Sequence, residues 1–109
     1  MDDDWIRVAS AAEVAPGGTL QVDVAGEPVC LYNLDGAIYA THDTCTHEEA
    51  SLADGFIEGD CIECPLHQAL FHIPTGEVLS APATRPLLVY AVSVVDDAIL
   101  VRIAPVESE

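Results

Sequence analysis

Apolar and polar residues alternate with period two over most of the chain. Leu20, Val22 and Val24 form one such run, and Val29, Leu31 and then Ile38 a second. Leu88, Tyr90, Val92 and Val94, then Ile99, Val101 and Ile103, continue it. Alternation places one set of side chains on the buried face of a strand, so these runs predict an all-β chain. Turn signals fall between them at Pro16-Gly17-Gly18, Gly26-Glu27-Pro28, Asp35-Gly36, Gly59-Asp60, Pro74-Thr75-Gly76 and Asp96-Asp97. Asp35-Gly36 suits a type I′ turn, which needs two residues at positive φ, and short strands should therefore follow one another as hairpins. The single helical hint is Ser10-Ala11-Ala12-Glu13, a capping-box pattern that Pro16 and Gly17 cut short after about one turn.

The alternation loosens between about residues 41 and 82, where small and polar residues, glycines and prolines interleave with Cys and His. Binding sites are commonly built on loops held by a rigid sheet. Here Phe56-Ile57-Glu58, the turn Gly59-Asp60 and Cys61-Ile62-Glu63 predict a hairpin that returns the chain from Cys45-Thr46-His47 toward Cys64-Pro65-Leu66-His67. Two loops, each with one Cys and one His, would then face each other.

At 109 residues the chain has the size of one domain, 1–109, with neither internal repeat nor linker. No apolar run approaches the roughly 18 residues that span a bilayer, and MDDDWIRV lacks the basic and apolar regions of a signal peptide. The expectation is a soluble cytoplasmic protein without membrane contact. Four cysteines in a reducing compartment read as metal ligands or buried apolar residues, not as a disulfide framework. The net charge of −16, from 19 acidic residues against Arg7, Arg85 and Arg102, argues against nucleic acid. It allows steering toward a basic partner, beside the plainer reading of a solvated acidic surface.

The candidate chemistry lies in Cys45-x-His47 and Cys64-x2-His67, separated by the sixteen residues 48–63. One thiolate and one imidazole per loop suit a Rieske [2Fe-2S] centre, where two cysteines hold one iron and two histidines the other. A zinc site on Cys61, Cys64 and His67 would need a fourth donor from Cys45, His47 or His72, and would leave Cys45-Thr46-His47 half used. A thioredoxin-like Cys61-x2-Cys64 pair lacks its βαβ setting, and positions 30, 45, 61 and 64 do not give plant-type cluster spacing.

Around these pairs stand Asp43-Thr44, Leu52-Ala53-Asp54-Gly55, Gly59-Asp60, Phe71, Thr75-Gly76, Pro82-Ala83, and Pro86-Leu87 before a Tyr-x-Val strand. With them the chain resembles, over nearly its whole length, the Rieske ferredoxins that serve bacterial ring-hydroxylating oxygenases. The resemblance implies an antiparallel β-sandwich with a small cluster-binding subdomain, roughly 41–82, on hairpin loops. It implies Cys45, His47, Cys64 and His67 as ligands of one Rieske [2Fe-2S] cluster, with the loop around Pro82 covering its flank. The implied role is that of a monomeric electron carrier with no catalytic residues, which passes single electrons from an NAD(P)H-dependent flavoprotein reductase to a terminal Rieske non-haem iron oxygenase. A small Rieske subunit of a reductase, such as assimilatory nitrite reductase, and a zinc-stabilised binding module are the alternatives.

Respiratory Rieske proteins carry an extra cysteine in each loop, forming a disulfide; those places are held here by Ala50 and Leu66. Their serine and tyrosine, whose hydroxyls bond cluster sulfurs, are replaced by Ala69 and Phe71. Fewer donors and a strongly acidic chain favour the oxidised form, so the expected potential lies near the low end of the Rieske range, roughly −150 mV.

The remaining candidates have plainer readings. Cys30 and Cys61 should be core residues. His42 is expected to face solvent in preference to supporting a ligand, and His72 to be exposed. Glu48 and Glu49 suit either a basic partner or a solvated turn. Trp5, Tyr32, Tyr39 and Tyr90 read as sheet packing. Pro65 should stiffen its loop, and Gly55, Gly59 and Gly76 supply turn conformations.

Overall fold

The computed structural model describes residues 5–24, 26–44, 50–65, 69–80 and 86–105, with side chains given for all of these except 80 and 103–105. Ten strands follow in chain order: β1 (Trp5–Ser10), β2 (Thr19–Val24), β3 (Glu27–Leu34), β4 (Ala37–His42), β5 (Phe56–Glu58), β6 (Cys61–Glu63), β7 (Leu70–His72), β8 (Val78–Ser80), β9 (Val89–Val95) and β10 (Ala98–Pro105). Every pairing is antiparallel. Among the described residues the helical content is two 3-10 turns, Ala11–Glu13 and Leu52–Asp54, and no helix is long and apolar enough to cross a membrane. At the first turn the Ser10 N–H donates to Glu13 Oε2 at 3.3 Å, as the capping pattern predicts.

Six strands make one sheet in the order β1-β10-β9-β4-β3-β2. It curls until β1 and β2 touch, so its two halves face each other as a sandwich. Between them lie Ala9, Val24, Val29, Leu31, Ala40, Tyr90, Ile99 and Val101. The turns obey the sequence: Asp35 and Gly36 have φ of 58° and 100°, and Asp96 and Asp97 make the same tight connection at 50° and 72°.

The other four strands form a small sheet, β5-β6-β7-β8, packed on the outer face of β3. β3 therefore serves two cores. Val29 and Leu31 face into the sandwich, while Cys30 and Tyr32 join Leu52, Ile62, Cys64, Ala69, Phe71, Ile73 and Leu87 on the opposite side. Five consecutive residues of β3, Val29 to Asn33, are buried as a result, a pattern proper to a strand covered on both faces.

Candidate metal centre

Two loop feet stand side by side on the second core. The first loop leaves β4 at Asp43-Thr44 and returns at Ala50-Ser51, where Thr44 and Ser51 form an isolated antiparallel bridge. Below the bridge the Leu52 N–H donates to the Asp43 carbonyl at 2.7 Å. The second loop is closed at its base by the Cys64 N–H, which donates to the Ala69 carbonyl at 2.8 Å. Cys64 is 1% exposed. Leu52 from the first foot and Cys64 and Ala69 from the second belong to one buried cluster, with Ala50 packed against it.

The feet also meet through backbone. Gly55, on the exit limb of the first loop, lies so close to the Glu63 carbonyl that a Cβ there would collide with it, and Glu63 immediately precedes Cys64. Gly55 was expected to supply a turn conformation. Its φ is −87°, which any residue adopts, so its role is close approach instead. Gly59 and Gly76 do have positive φ, 66° and 77°. The Gly76 carbonyl accepts the Leu87 N–H at 2.8 Å, which fastens the chain just ahead of β9 to the β7-β8 connection.

Of the predicted ligands, Cys64 stands in the core as described, while Cys45, His47 and His67 lie outside the described residues. Glu48, Glu49, Leu66 and the loop around Pro82 lie outside them too. Among the described residues no three His, Cys, Asp or Glu side chains are placed to hold a metal ion. Ala69 and Phe71 are both fully buried beside Cys64 in the cluster, and neither carries a hydroxyl.

Asp43, which entered the sequence reading only as part of the resemblance, is buried at the foot of the first loop. It is 1% exposed, and its carboxylate accepts from Gln21 Nε2 at 2.7 Å and from the Ala53 N–H at 3.0 Å. The available signal was an acidic residue directly after a strand and two positions before a candidate ligand. Beside it the polar groups form a buried set: Tyr32 Oη and Thr41 Oγ1 lie 2.7 Å apart, and burial pushes both the Cys30 thiol and the Tyr32 phenol well above their ordinary pKa ranges.

Cys30 is buried, as expected, but Cys61 is half-exposed. In β6 it is Ile62 that enters the core, so both its neighbours must point the other way. His72, expected to be exposed, is half-buried and bonded at both nitrogens. Its Nε2 lies 3.0 Å from Asp60 Oδ2 and its Nδ1 2.9 Å from Thr75 Oγ1. The cause is register, since Cys61 pairs with His72 and brings the β5-β6 turn that carries Asp60 alongside. His42 is half-buried too, with Nε2 3.4 Å from Glu27 Oε1. Tyr32 and Tyr90 pack in the two cores, Tyr39 packs against the first of these, and Trp5 is half-buried on β1.

The sequence profile of the Rieske [2Fe-2S] domain matches residues 4–95. The ferredoxin component of a naphthalene 1,2-dioxygenase system from Pseudomonas aeruginosa is 39% identical over 104 residues, which cover 95% of this chain and 100% of that protein. A chain in the complex of reduced oxygenase and oxidized ferredoxin of carbazole 1,9a-dioxygenase superposes with a TM-score of 0.90 at 38% identity, covering 96% of this chain and 98% of that one. A candidate NADH-dependent nitrite reductase small subunit from Mycobacterium tuberculosis superposes at 0.81 with 24% identity over 92% of this chain and 96% of that one, a likeness of fold alone.

Proposed function

The chain belongs to the Rieske [2Fe-2S] domain family, and from that premise we propose that it is the ferredoxin of a ring-hydroxylating oxygenase system. In this reading Cys45, His47, Cys64 and His67 hold one Rieske cluster. The protein works as a monomer in the cytoplasm, as one domain whose residues 41–82 form the cluster-binding part. It takes electrons from an NAD(P)H-dependent flavoprotein reductase and delivers them to a terminal aromatic-ring oxygenase. It is a carrier, not an enzyme.

The observation that carries the reading is the shared foundation of the two donor loops. Cys64, 1% exposed, sits in the cluster that also receives Leu52 and Ala50 from the first loop's foot. One thiolate and one imidazole from each loop is the donor set that such a cluster takes. A thiolate at such a site, taken out of water among apolar side chains, needs a compensating positive charge, and iron provides one. When bound, the cluster supplies one-electron chemistry. The chain's own part is to exclude water with Leu52, Ile62 and Phe71 and to hold both loop feet by backbone hydrogen bonds. The nitrite reductase alternative rests on fold likeness at 24% identity, whereas the oxygenase ferredoxins are similar at 38 and 39%.

Metal and sulfide analysis tests the centre. About two irons and two acid-labile sulfides per chain are expected for a [2Fe-2S] cluster, and zinc without sulfide would overturn it. His67→Ala should abolish the Rieske spectrum, while His42→Ala and His72→Ala keep it. The role is tested by mixing the protein with NADH, a flavoprotein reductase and a ring-hydroxylating oxygenase encoded beside it; failure to restore turnover would count against the assignment.

A further inference from the structure

We propose that Asp43 is a positioning residue for the first ligand loop, and that its hydrogen bond with Gln21 is what ties that loop to the large sheet. The inference rests on Cys45 and His47 being ligands, since these residues lie between the two limbs that Asp43 joins.

Among the described residues Asp43 is hydrogen-bonded to three separate pieces of chain. Its N–H donates to the Pro28 carbonyl at 3.0 Å, and its carbonyl accepts the Leu52 N–H at 2.7 Å. Its carboxylate takes Gln21 Nε2 of β2 on one oxygen and the Ala53 N–H on the other, at 2.7 and 3.0 Å. The entering limb of the loop is thus joined to its returning limb and to both edge-side strands, β2 and β3. A second clamp supports the returning limb: Thr19 Oγ1 of β2 donates to the Ala53 carbonyl at 2.7 Å. The 3-10 turn Leu52–Asp54 is therefore held to β2 at both ends of one peptide residue, through Asp43 and through Thr19.

Packing alone does not explain an acidic residue here. Burying a carboxylate is costly unless donors meet it, and a leucine in the same place would fill space without that penalty. Among the described residues the Gln21 amide and the Ala53 N–H meet the two carboxylate oxygens and offset that cost. What a carboxylate gains over an apolar side chain is direction. Two acceptor oxygens fix the angle between β2 and the returning limb, and a ligand loop needs its donors held to within a fraction of an ångström.

The chemistry of the pair gives a test that general destabilisation does not mimic. Gln21→Glu sets two carboxylates against each other, and Asp43→Ala removes the acceptor. Asp43→Asn keeps the shape, because the Gln21 amide can turn to present its oxygen to the new amide. In the double variant Gln21→Glu with Asp43→Asn, donor and acceptor simply exchange sides and the charge is conserved. The readouts are the half-time of iron release from the holoprotein to a ferrous chelator under reducing conditions and the g-values of the reduced cluster by electron paramagnetic resonance.

Expected are iron release about tenfold faster with altered g-values in Asp43→Ala and Gln21→Glu, near-normal behaviour in Asp43→Asn, and recovery of Gln21→Glu by the added Asp43→Asn. Asn33→Ala, which removes a buried hydrogen bond to the Val14 carbonyl and one accepted from the Gly36 N–H, is the control for lost stability and should leave the g-values unchanged. Additive behaviour in the double variant, or g-values unmoved in Asp43→Ala, would overturn the inference. A wild-type protein with two irons and a Rieske spectrum in that case keeps the ligand assignment intact. A wild type that binds no iron would overturn the ligand assignment, and the inference with it.

Discussion

Phe71 and Ala69 place two fully buried, hydroxyl-free side chains in the cluster that holds Cys64. Without their donors to sulfur, and in a chain of net charge −16, an added electron is poorly stabilised. A redox titration should return roughly −150 mV, near the low end of the Rieske range. Phe71→Tyr should move it upward if the new hydroxyl finds a sulfur, at a cost of about 1–3 kcal/mol in stability if it finds no partner. A value well above zero in the unmodified protein would refute the argument. The Asp60 carboxyl offers a prediction in pH. The hydrogen bond from His72 holds it below its ordinary value of 3.8. A carboxylate depressed in the folded state adds stability above its unfolded pKa and loses it as pH falls through the folded one. The melting temperature of wild type should therefore exceed that of Asp60→Asn near pH 6, and the gap should close below pH ~3.8. A gap independent of pH would mean that the pair acts through packing.

Gly55 shows how an element is placed by one residue without a side chain. The second 3-10 turn can lie on β6 only because nothing projects toward the Glu63 carbonyl. Gly55→Ala forces the first loop's exit limb off the strand that leads to Cys64. It should cost about 2–3 kcal/mol by chemical denaturation and speed iron loss. Gly17→Ala meets no neighbour, and at φ 80° it should cost about 1 kcal/mol or a little more and leave iron retention alone. Retention of iron by Gly55→Ala at the wild-type rate would separate the turn from the site. The hairpins were legible in the sequence because period-two alternation and paired turn residues are local signals, as at Asp35-Gly36 and Asp96-Asp97. The burial of β3 on both faces was not, since it depends on a sheet built from residues some thirty positions later. The same long-range packing turned Cys61 outward and joined His72 to Asp60. At the site, the Cys and His spacing marked out the proposed donors, but nothing local marked Asp43 as buried, because its partners come from Gln21 and Ala53.

At the scale of the molecule, charge is almost wholly of one sign. Of the three arginines, the two among the described residues, Arg7 and Arg102, lie on the paired strands β1 and β10, one on each, against 19 acidic residues in the chain. Such a molecule is drawn toward a basic surface by its net negative charge. That effect acts on the rate of encounter more than on the final affinity, and it fades as salt shortens the Debye length from about 30 Å at 0.01 M to about 10 Å at 0.1 M. A carrier that meets two partners in turn gains from this, because fast arrival need not mean slow departure. The second-order rate of reduction by a flavoprotein reductase should fall about tenfold or more between 0.01 and 0.5 M salt, with the cluster potential nearly unchanged. Arg7→Glu together with Arg102→Glu deepens the negative field while leaving both loop feet untouched, so it should steepen the salt dependence with a basic partner. Stopped-flow reduction across a salt series decides the matter: a rate indifferent to salt would return the acidic surface to the simpler role of keeping the protein in solution.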